Sequence, residues 1–363
     1  MNMKALRLVK IGGPLEIQDI PTPEIREEDE RDDVQVIVRV KACGLCGTDL
    51  HQIAGTAKVH HLPITLGHEI AGVVEDVGRA ITSGRVGVPA FKPGDRVAVN
   101  NVIWCGECWP CLRGRYNFCH NGLFFGRHID GGLAEFVKIP ARNLARLPSN
   151  VSFEEGAILG CAVTTAYHAL RIGRIAQGDS VVVWGLGGVG LALVQLAREL
   201  SAAYPLMAVD LQEEKLRLAA EAGADFTINA TERDPVEAIR EFTKGEGADA
   251  VYDTAGIRQV TPNGELITLA SVCSGGRLIG VATFGAPVTI EPHDDLGVFE
   301  KSFTGSCGNL PDELDYLIQI VAGRRRLDLR KLITQMISPQ QANEIIATWR
   351  EGKELVIRPV VVF

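Results

Sequence analysis

The hydrophobic pattern divides the chain into two textures. Up to about residue 150, short β-branched runs such as VQVIVRV and DRVAVNNVI stand between Gly- and Pro-rich turns. Runs of this kind predict a compact, mostly β domain. Two stretches interrupt it, the acidic residues 24–33 and the Gly- and Pro-bearing residues 79–93, and both read as solvated loops. From about Gly178 the texture changes. Residues 180–184 read as a buried strand. Val189, Leu193, Leu196, Ala197 and Leu200 then recur with helical periodicity. A strand over 206–209 ends at Asp210, and a helix over 213–222 is stopped by Gly223. Residues 226–228, 250–253 and 277–281 read as further strands. Strands alternating with helices predict parallel βαβ units with both sheet faces covered. Beyond Ser306, helices over 312–322 and 340–350 lead to a strand over 354–363. That strand is expected to return to the first domain, which makes the second an insertion.

Between the first βα pair lies Gly185-Leu186-Gly187-Gly188-Val189-Gly190. A G-x-G-x-x-G run alone is a weak signal. Following a strand, opening a helix and leading to an acid at Asp210, it reads as a dinucleotide-binding turn. Gly185 permits the turn, Gly187 the approach of a pyrophosphate, and Gly190 close helix–strand packing. Phosphates would lie at the helix N-terminus, among free N–H groups. Asp210 would accept from the adenosine ribose hydroxyls and repel a 2′-phosphate, favouring NAD over NADP. Its alternative reading is an ordinary acid at a helix N-terminus. A glycine-rich methyltransferase shares these features but has no use for the cysteines that follow.

Cys105, Cys108, Cys111 and Cys119 form a C-x2-C-x2-C-x7-C run in CGECWPCLRGRYNFC. Four thiolates this close can wrap one tetrahedral zinc with no open position, a structural site. Two disulfides are the competing reading, but disulfide frameworks belong to short secreted chains. Cys46, His68 and Cys161 are unremarkable singly. Together they would give a Cys2His site with its fourth position open, the arrangement of a catalytic zinc. Cys43, Cys273 and Cys307 are unassigned, and His60, His61, His120, His128 and His168 read as structural. The formal net charge of −8 argues against nucleic acid or an anionic membrane as partner. The opening MNMKALRLVKIGGPLEI lacks the apolar core of a signal peptide, and no run reaches transmembrane length. The nine cysteines are therefore expected to stay reduced in a cytoplasm.

With CGTDLH, GHE, the four-cysteine lobe, GC-x-x-TT, GLGGVG and Arg358 in one chain, the sequence resembles the zinc-dependent medium-chain alcohol dehydrogenases over nearly its whole length. The resemblance implies an α/β fold, a GroES-like β-rich catalytic domain plus a Rossmann doubly wound parallel sheet. It implies a catalytic domain over 1–160 with a structural lobe at 101–120, an NAD-binding domain over 161–305, and a return to the catalytic domain over 306–363. The implied cofactors are NAD and two Zn²⁺ per chain, and the catalytic zinc falls on Cys46, His68 and Cys161. Glu69 is similar to the family's acid that approaches the metal during exchange. Asp49 is similar to the acid that orients a zinc-bound His. Thr165 and Val189 fall where the family contacts nicotinamide, and Arg358 resembles its pyrophosphate arginine. Thr48 would accept the substrate's proton and hand it on through the nicotinamide ribose, and His51 would release it to solvent, its alternative reading being a structural surface histidine. The implied activity is hydride transfer between a primary or secondary alcohol and NAD, with a polyol or sugar dehydrogenase as the alternative. Gly47 stands where some members grip the pyrophosphate with a basic residue. Asn101 stands where some carry an aromatic pocket wall. The short passage from Cys119 to Gly131-Gly132 is similar to the microbial members, which implies a homotetramer.

Overall fold

Strand Gln35–Gly44 is the spine of the first half of the fold. In the computed structural model, which describes residues 1–26, 34–82, 89–256, 264–282, 287–324, 327–352 and 354–363, the chain divides into two units. One comprises Met1–Thr164, Asn309–Arg325 and Ile333–Phe363; the other comprises Thr165–Gly308 and Arg326–Leu332. The span 306–363 is thus shared, since Arg326–Leu332 packs with the second unit, where Leu329 and Leu332 are buried.

In the first unit a seven-stranded sheet runs Leu144–Arg146, Arg96–Val99, Glu69–Val77, Gln35–Gly44, Pro359–Val362, Gln335–Ile337, with Phe136–Pro140 also on Gln35–Gly44. A three-stranded sheet, Leu15–Pro21, Asn2–Leu8 and Ile64–Thr65, accompanies it. Val36, Val38, Val40, Ile70, Val97, Val99, Ile139 and Val361 form the core between them with Leu6 and Leu8. Burying such a side chain is worth about 1.5–3 kcal/mol, so the β-branched runs of the sequence fix this sheet's inner faces.

The second unit is a six-stranded parallel sheet in the order Phe226–Asn229, Leu206–Asp210, Val181–Trp184, Ala248–Asp253, Val272–Gly280, Ser302–Gly305. By chain position that is 3-2-1-4-5-6, the doubly wound Rossmann order. Val181–Trp184 is buried along its whole length, as expected where helices cover both faces. Helix Glu213–Glu221 ends before Gly223, whose φ of +110° turns the chain.

Three expectations change in detail. Arg79–Thr82 is a short helix rather than solvated loop, because Ala80 and Ile81 join the core together with Phe91; residues 83–88 lie outside the described part, as do 27–33 of the acidic stretch. Strand Val272–Gly280 begins earlier than its pattern suggests. Gly275-Gly276 resembles a turn in sequence but lies within the strand, whose register on Ala248–Asp253 shifts between Ala248 and Ala250. The last strand is shorter, Pro359–Val362. Among the described residues no helix is long and apolar enough to cross a membrane.

A Cβ on Gly190 would sit 1.9 Å from the carbonyl oxygen of Gly185 and 2.8 Å from Thr254 Oγ1. Gly190→Ala is therefore expected to destabilise the second unit by about 1–3 kcal/mol through overpacking, read as a lowered midpoint in thermal or urea unfolding.

Candidate metal and dinucleotide sites

The first site is assembled by strand register. Gly44 pairs with Glu69 on one side and with Val360 on the other. Leu45 N–H then donates to Pro359 O at 2.9 Å. The three strand ends therefore deliver Cys46, His68-Glu69 and Arg358 to one place. A Cβ on residue 44 would lie 2.2 Å from Glu69 Oε2, so only glycine lets that carboxylate fold over the strand.

Cys46 is the N-cap of helix Gly47–Ala54, and its N–H donates to Asp49 Oδ2 at 2.7 Å. The other Asp49 oxygen accepts from Gly67 N–H at 3.3 Å. One buried carboxylate thus ties the Cys46 segment to the His68 segment. Its approach to the imidazole itself, 3.7 Å from Oδ1 to His68 Nδ1, is longer than a hydrogen bond. Asp49 therefore positions His68 through the preceding backbone more than through the ring.

Cys161 comes from the far side of the same unit. Ser152 and Glu155 form a reciprocal capping box that starts helix Phe153–Ile158. The helix passes into a π-helical turn, Leu159–Val163, that carries Cys161. Single π turns inside helices frequently mark functional positions.

The ligand atoms of Cys46, His68, Glu69 and Cys161 all lie within 4.8 Å of one another. His68 and Glu69 are fully buried. Both ring nitrogens of His68 and both carboxylate oxygens of Glu69 lack hydrogen-bond partners. Burial pushes the Glu69 carboxyl up to about 8, against the pull of Arg358. Hydrogen bonding from Cys161 holds Cys46 well below the usual thiol range, and the same contact raises Cys161. Orphaned buried donors converging on a point are what a divalent cation satisfies. The residues fit a zinc.

Arg358, which the resemblance places at a pyrophosphate, is buried in this unit. It is 3% exposed, its Nη1 lies 3.2 Å from Glu69 Oε1, and it donates to Leu45 O at 3.2 Å. Thr48 is half-buried with Oγ1 3.7 Å from Cys46 Sγ. His51 is exposed, with Nδ1 3.0 Å from Thr56 Oγ1. Thr48 therefore lies beside a candidate ligand, and His51, one turn further along the same helix, reaches solvent.

The lobe cysteines converge as well. Cys105, Cys108, Cys111 and Cys119 place all four sulfurs within 4.8 Å of each other. The Cys105–Cys119, Cys108–Cys119 and Cys105–Cys111 sulfur pairs are 3.5, 3.8 and 4.0 Å apart. A tetrahedron with zinc–sulfur arms of about 2.3 Å has edges of about 3.8 Å. All nine cysteines are free thiols. Backbone N–H groups of Cys105 and Cys108 donate to Cys119 and Cys105 sulfurs at 3.2 and 3.4 Å. The backbone N–H groups of Glu107 and then Cys108 draw Cys105 down to about 6, towards the thiolate a metal requires.

The second unit holds a cavity of about 480 Å³ lined by Gly185, Leu186, Gly187, Asp210, Lys215 and Thr254 among others. Gly185 has φ +92°. Gly187 is the N-cap of helix Gly188–Leu200 and contributes no side-chain cap, so the first helical N–H groups of Gly188, Val189 and Gly190 are open to an anion. Asp210 closes the turn: Oδ2 accepts from Leu186 N–H at 2.7 Å, and Oδ1 accepts from Leu211 and Gln212 N–H at 2.7 and 3.1 Å. Asp210 thus ends strand Leu206–Asp210, braces the turn into helix Glu213–Glu221 and lines the cavity. Thr165 is half-buried on helix Thr164–Gly173.

Sequence reasoning passed over Lys215. Its Nζ lies 3.9 Å from Asp210 Oδ1 on the cavity wall. The available signal was its place on the predicted helix, five residues after the acid. Thr254 was missed too; its hydroxyl donates to Gly185 O at 2.5 Å.

Residues 32–149 match the alcohol dehydrogenase GroES-like domain family, and residues 188–323 match the zinc-binding dehydrogenase family. An NAD-dependent alcohol dehydrogenase of Sulfurisphaera tokodaii is 34% identical over 355 residues, 95% of each chain. A scyllo-inosose 3-dehydrogenase of Thermotoga maritima is 30% identical, over 94% of this chain and 88% of the relative. A Sinorhizobium meliloti protein assigned as a zinc-binding dehydrogenase, solved with NADP bound, superposes with TM-score 0.86 and 30% identity over all of both chains. The chain belongs to the zinc-dependent medium-chain alcohol dehydrogenase family. It is a zinc-dependent oxidoreductase of GroES-like and Rossmann construction.

Arg358→Ala would leave Glu69 as an uncompensated buried acid. The expected cost is about 3–5 kcal/mol, measured by chemical denaturation, with Glu69→Gln/Arg358→Met recovering part of it.

Proposed function

We propose that the chain transfers hydride between a primary or secondary alcohol and NAD. In this reading Cys46, His68 and Cys161 hold a catalytic zinc, and Cys105, Cys108, Cys111 and Cys119 hold a structural one. The observation that carries it is the buried cluster in which neither ring nitrogen of His68 has a hydrogen-bond partner and Glu69 faces only Arg358. A zinc there would supply Lewis acidity toward the substrate oxygen, of the kind that brings the pKa of bound water down to about 7. The chain's own residues do the rest. Asp49 fixes the spacing of the Cys46 and His68 segments. Glu69, paired with Arg358, keeps a fourth donor at the cluster, an acid that can approach or leave the metal during exchange. Thr48 accepts the hydroxyl proton, and His51 hands it to water.

The open N–H groups beside Gly187 would carry the pyrophosphate, with Val189 and Thr165 at the nicotinamide. NAD is favoured over NADP because the Asp210 carboxylate opposes a 2′-phosphate. Lys215, 3.9 Å away, tempers that preference without cancelling a charge already held by three backbone donors. The similarity to an inosose dehydrogenase supports a polyol or sugar dehydrogenase as the second reading. The proposed setting is a cytoplasmic homotetramer.

Elemental analysis is expected to return two zincs per chain. Cys111→Ser should lose one and lower the melting temperature, because metal binding at a closed site is folding free energy. Cys46→Ser should lose the other and abolish NADH formation. Two zincs retained in Cys46→Ser, with turnover intact, would overturn the assignment. His51→Gln should slow turnover at neutral pH by up to about 10²-fold, with part of the rate restored by added imidazole.

A further inference from the structure

Residues 124–128 make one turn that closes on Phe124 from both sides. The Phe124 carbonyl oxygen accepts from the N–H groups of Arg127 and His128 at 3.2 and 3.0 Å. Its own N–H donates to Nδ1 of the His128 ring at 2.9 Å. A main-chain N–H can only donate, so Nδ1 carries no proton and the ring is neutral, with its hydrogen on Nε2. His128, which the sequence places among the structural histidines, thus has a protonation state to keep.

The turn lies against the first metal cluster. The Phe124 ring centroid is 4.9 Å from that of His68. Gly126 approaches the segment before His68 so closely that a Cβ on it would sit 3.0 Å from the nitrogen of Gly67, whose N–H Asp49 holds. Gly126 O accepts from Nε2 of the buried Gln52 at 2.9 Å, and Gln52 stands on helix Gly47–Ala54, next to His51. One turn therefore touches the candidate ligand His68 and the helix that carries Thr48. The groups acting on His128 oppose a positive charge there. His60 packs on its ring, with centroids 4.2 Å apart and planes tilted by 48°, and the His60 N–H donates to Arg127 O at 2.9 Å. Burial first, then His60 and Arg127, hold the His128 ring below the usual histidine range.

We propose that His128 is a positioning residue for the metal site: its neutral ring holds the turn that seats Phe124 on His68, and protonating it in mild acid releases that turn. A protonated Nδ1 would set two donors face to face, and the Phe124 N–H would lose its acceptor. Because the fold favours the neutral ring, its hold is complete above the ordinary histidine value of about 6.5 and is lost as the pH falls below it. The link to the metal rests on the reading of His68 as a zinc ligand and gives that site a dependence on a group that does not touch it.

The test uses the full zinc-loaded chain at about pH 7.5 and about pH 5, either side of the histidine range. Hydrogen exchange read by mass spectrometry gives the protection of residues 121–130, corrected for the intrinsic pH dependence of exchange. Release of zinc to a chromogenic chelator is followed in parallel, with Cys46→Ser subtracting the lobe metal. In the wild type, acid should lower protection and speed release, each by up to about tenfold, the weight of one hydrogen bond. His128→Asn offers an amide oxygen near the place of Nδ1 and does not titrate. It should keep its protection at both pH values and release zinc more slowly than the wild type in acid; any release through the ligands themselves is common to both. His128→Leu should lack the protection at both pH values. Equal responses to acid in the wild type and His128→Asn, or none in either, overturn the inference. Protection that follows His128 while zinc release does not overturns its link to His68. If His128→Leu does not fold, the wild type against His128→Asn still decides. A wild type holding no zinc beyond that of Cys46→Ser overturns the metal reading above, and the exchange measurement then still decides whether His128 holds the turn.

Discussion

The pairing of Gly44 with Glu69 and with Val360 is the constraint on which the first site depends. Ligand groups must be buried without solvent to pair them, and side chains alone hold such groups poorly. Here the main-chain ladder does the holding. Antiparallel bonds set the ends of three strands side by side, and the side chains that leave those ends, Cys46, Glu69 and Arg358, have little freedom left. Asp49 then locks the Cys46 and His68 segments through two backbone N–H groups. Burying Glu69 and Arg358 opposite one another satisfies neither fully. A buried ion pair with unfilled valences is weak evidence for stability and better evidence for a site that expects a further charge.

The two cysteine clusters illustrate opposite demands on a metal site. The lobe gathers four sulfurs from one short stretch, and its near-tetrahedral spacing leaves nothing vacant for a reactant. The other cluster draws on three distant stretches and mixes two sulfurs, an imidazole and an acid. Closed sites brace, and mixed sites with a spare direction react. The second unit meets a different demand, that of a phosphate group, with unfilled N–H groups at a helix start and a carboxylate that braces the turn before it.

Legibility in the sequence followed the range over which each feature is encoded. The lobe and the glycine turn are written within a few residues, so spacing and periodicity sufficed for both. The parallel βαβ build of the second unit followed from alternation of strands with helices. Cys46, His68 and Cys161 are far apart, and only their combination with the other motifs made them a set. The pairing of Arg358 with Glu69 depends on strand register, which no local pattern carries. The short helix at Arg79–Thr82, with Ala80 and Ile81 buried, was hidden by glycines and prolines downstream. Gly275-Gly276 resembled a turn, although the strand runs through it. Lys215 was lost among ordinary helical charges because its role comes from the turn it faces rather than from its neighbours in sequence.

Strand Pro359–Val362 joins Gln35–Gly44 with Val361 opposite Cys43. Those partners are separated by some 300 residues, and loop closure over such a span costs on the order of 5 kcal/mol of chain entropy. The inserted unit, by contrast, draws its parallel sheet from one contiguous stretch. During synthesis that stretch emerges whole while the sheet around Gly44 still lacks a member. The nucleotide fold is thus free to form first, and completion of the metal pocket waits for a segment translated after it.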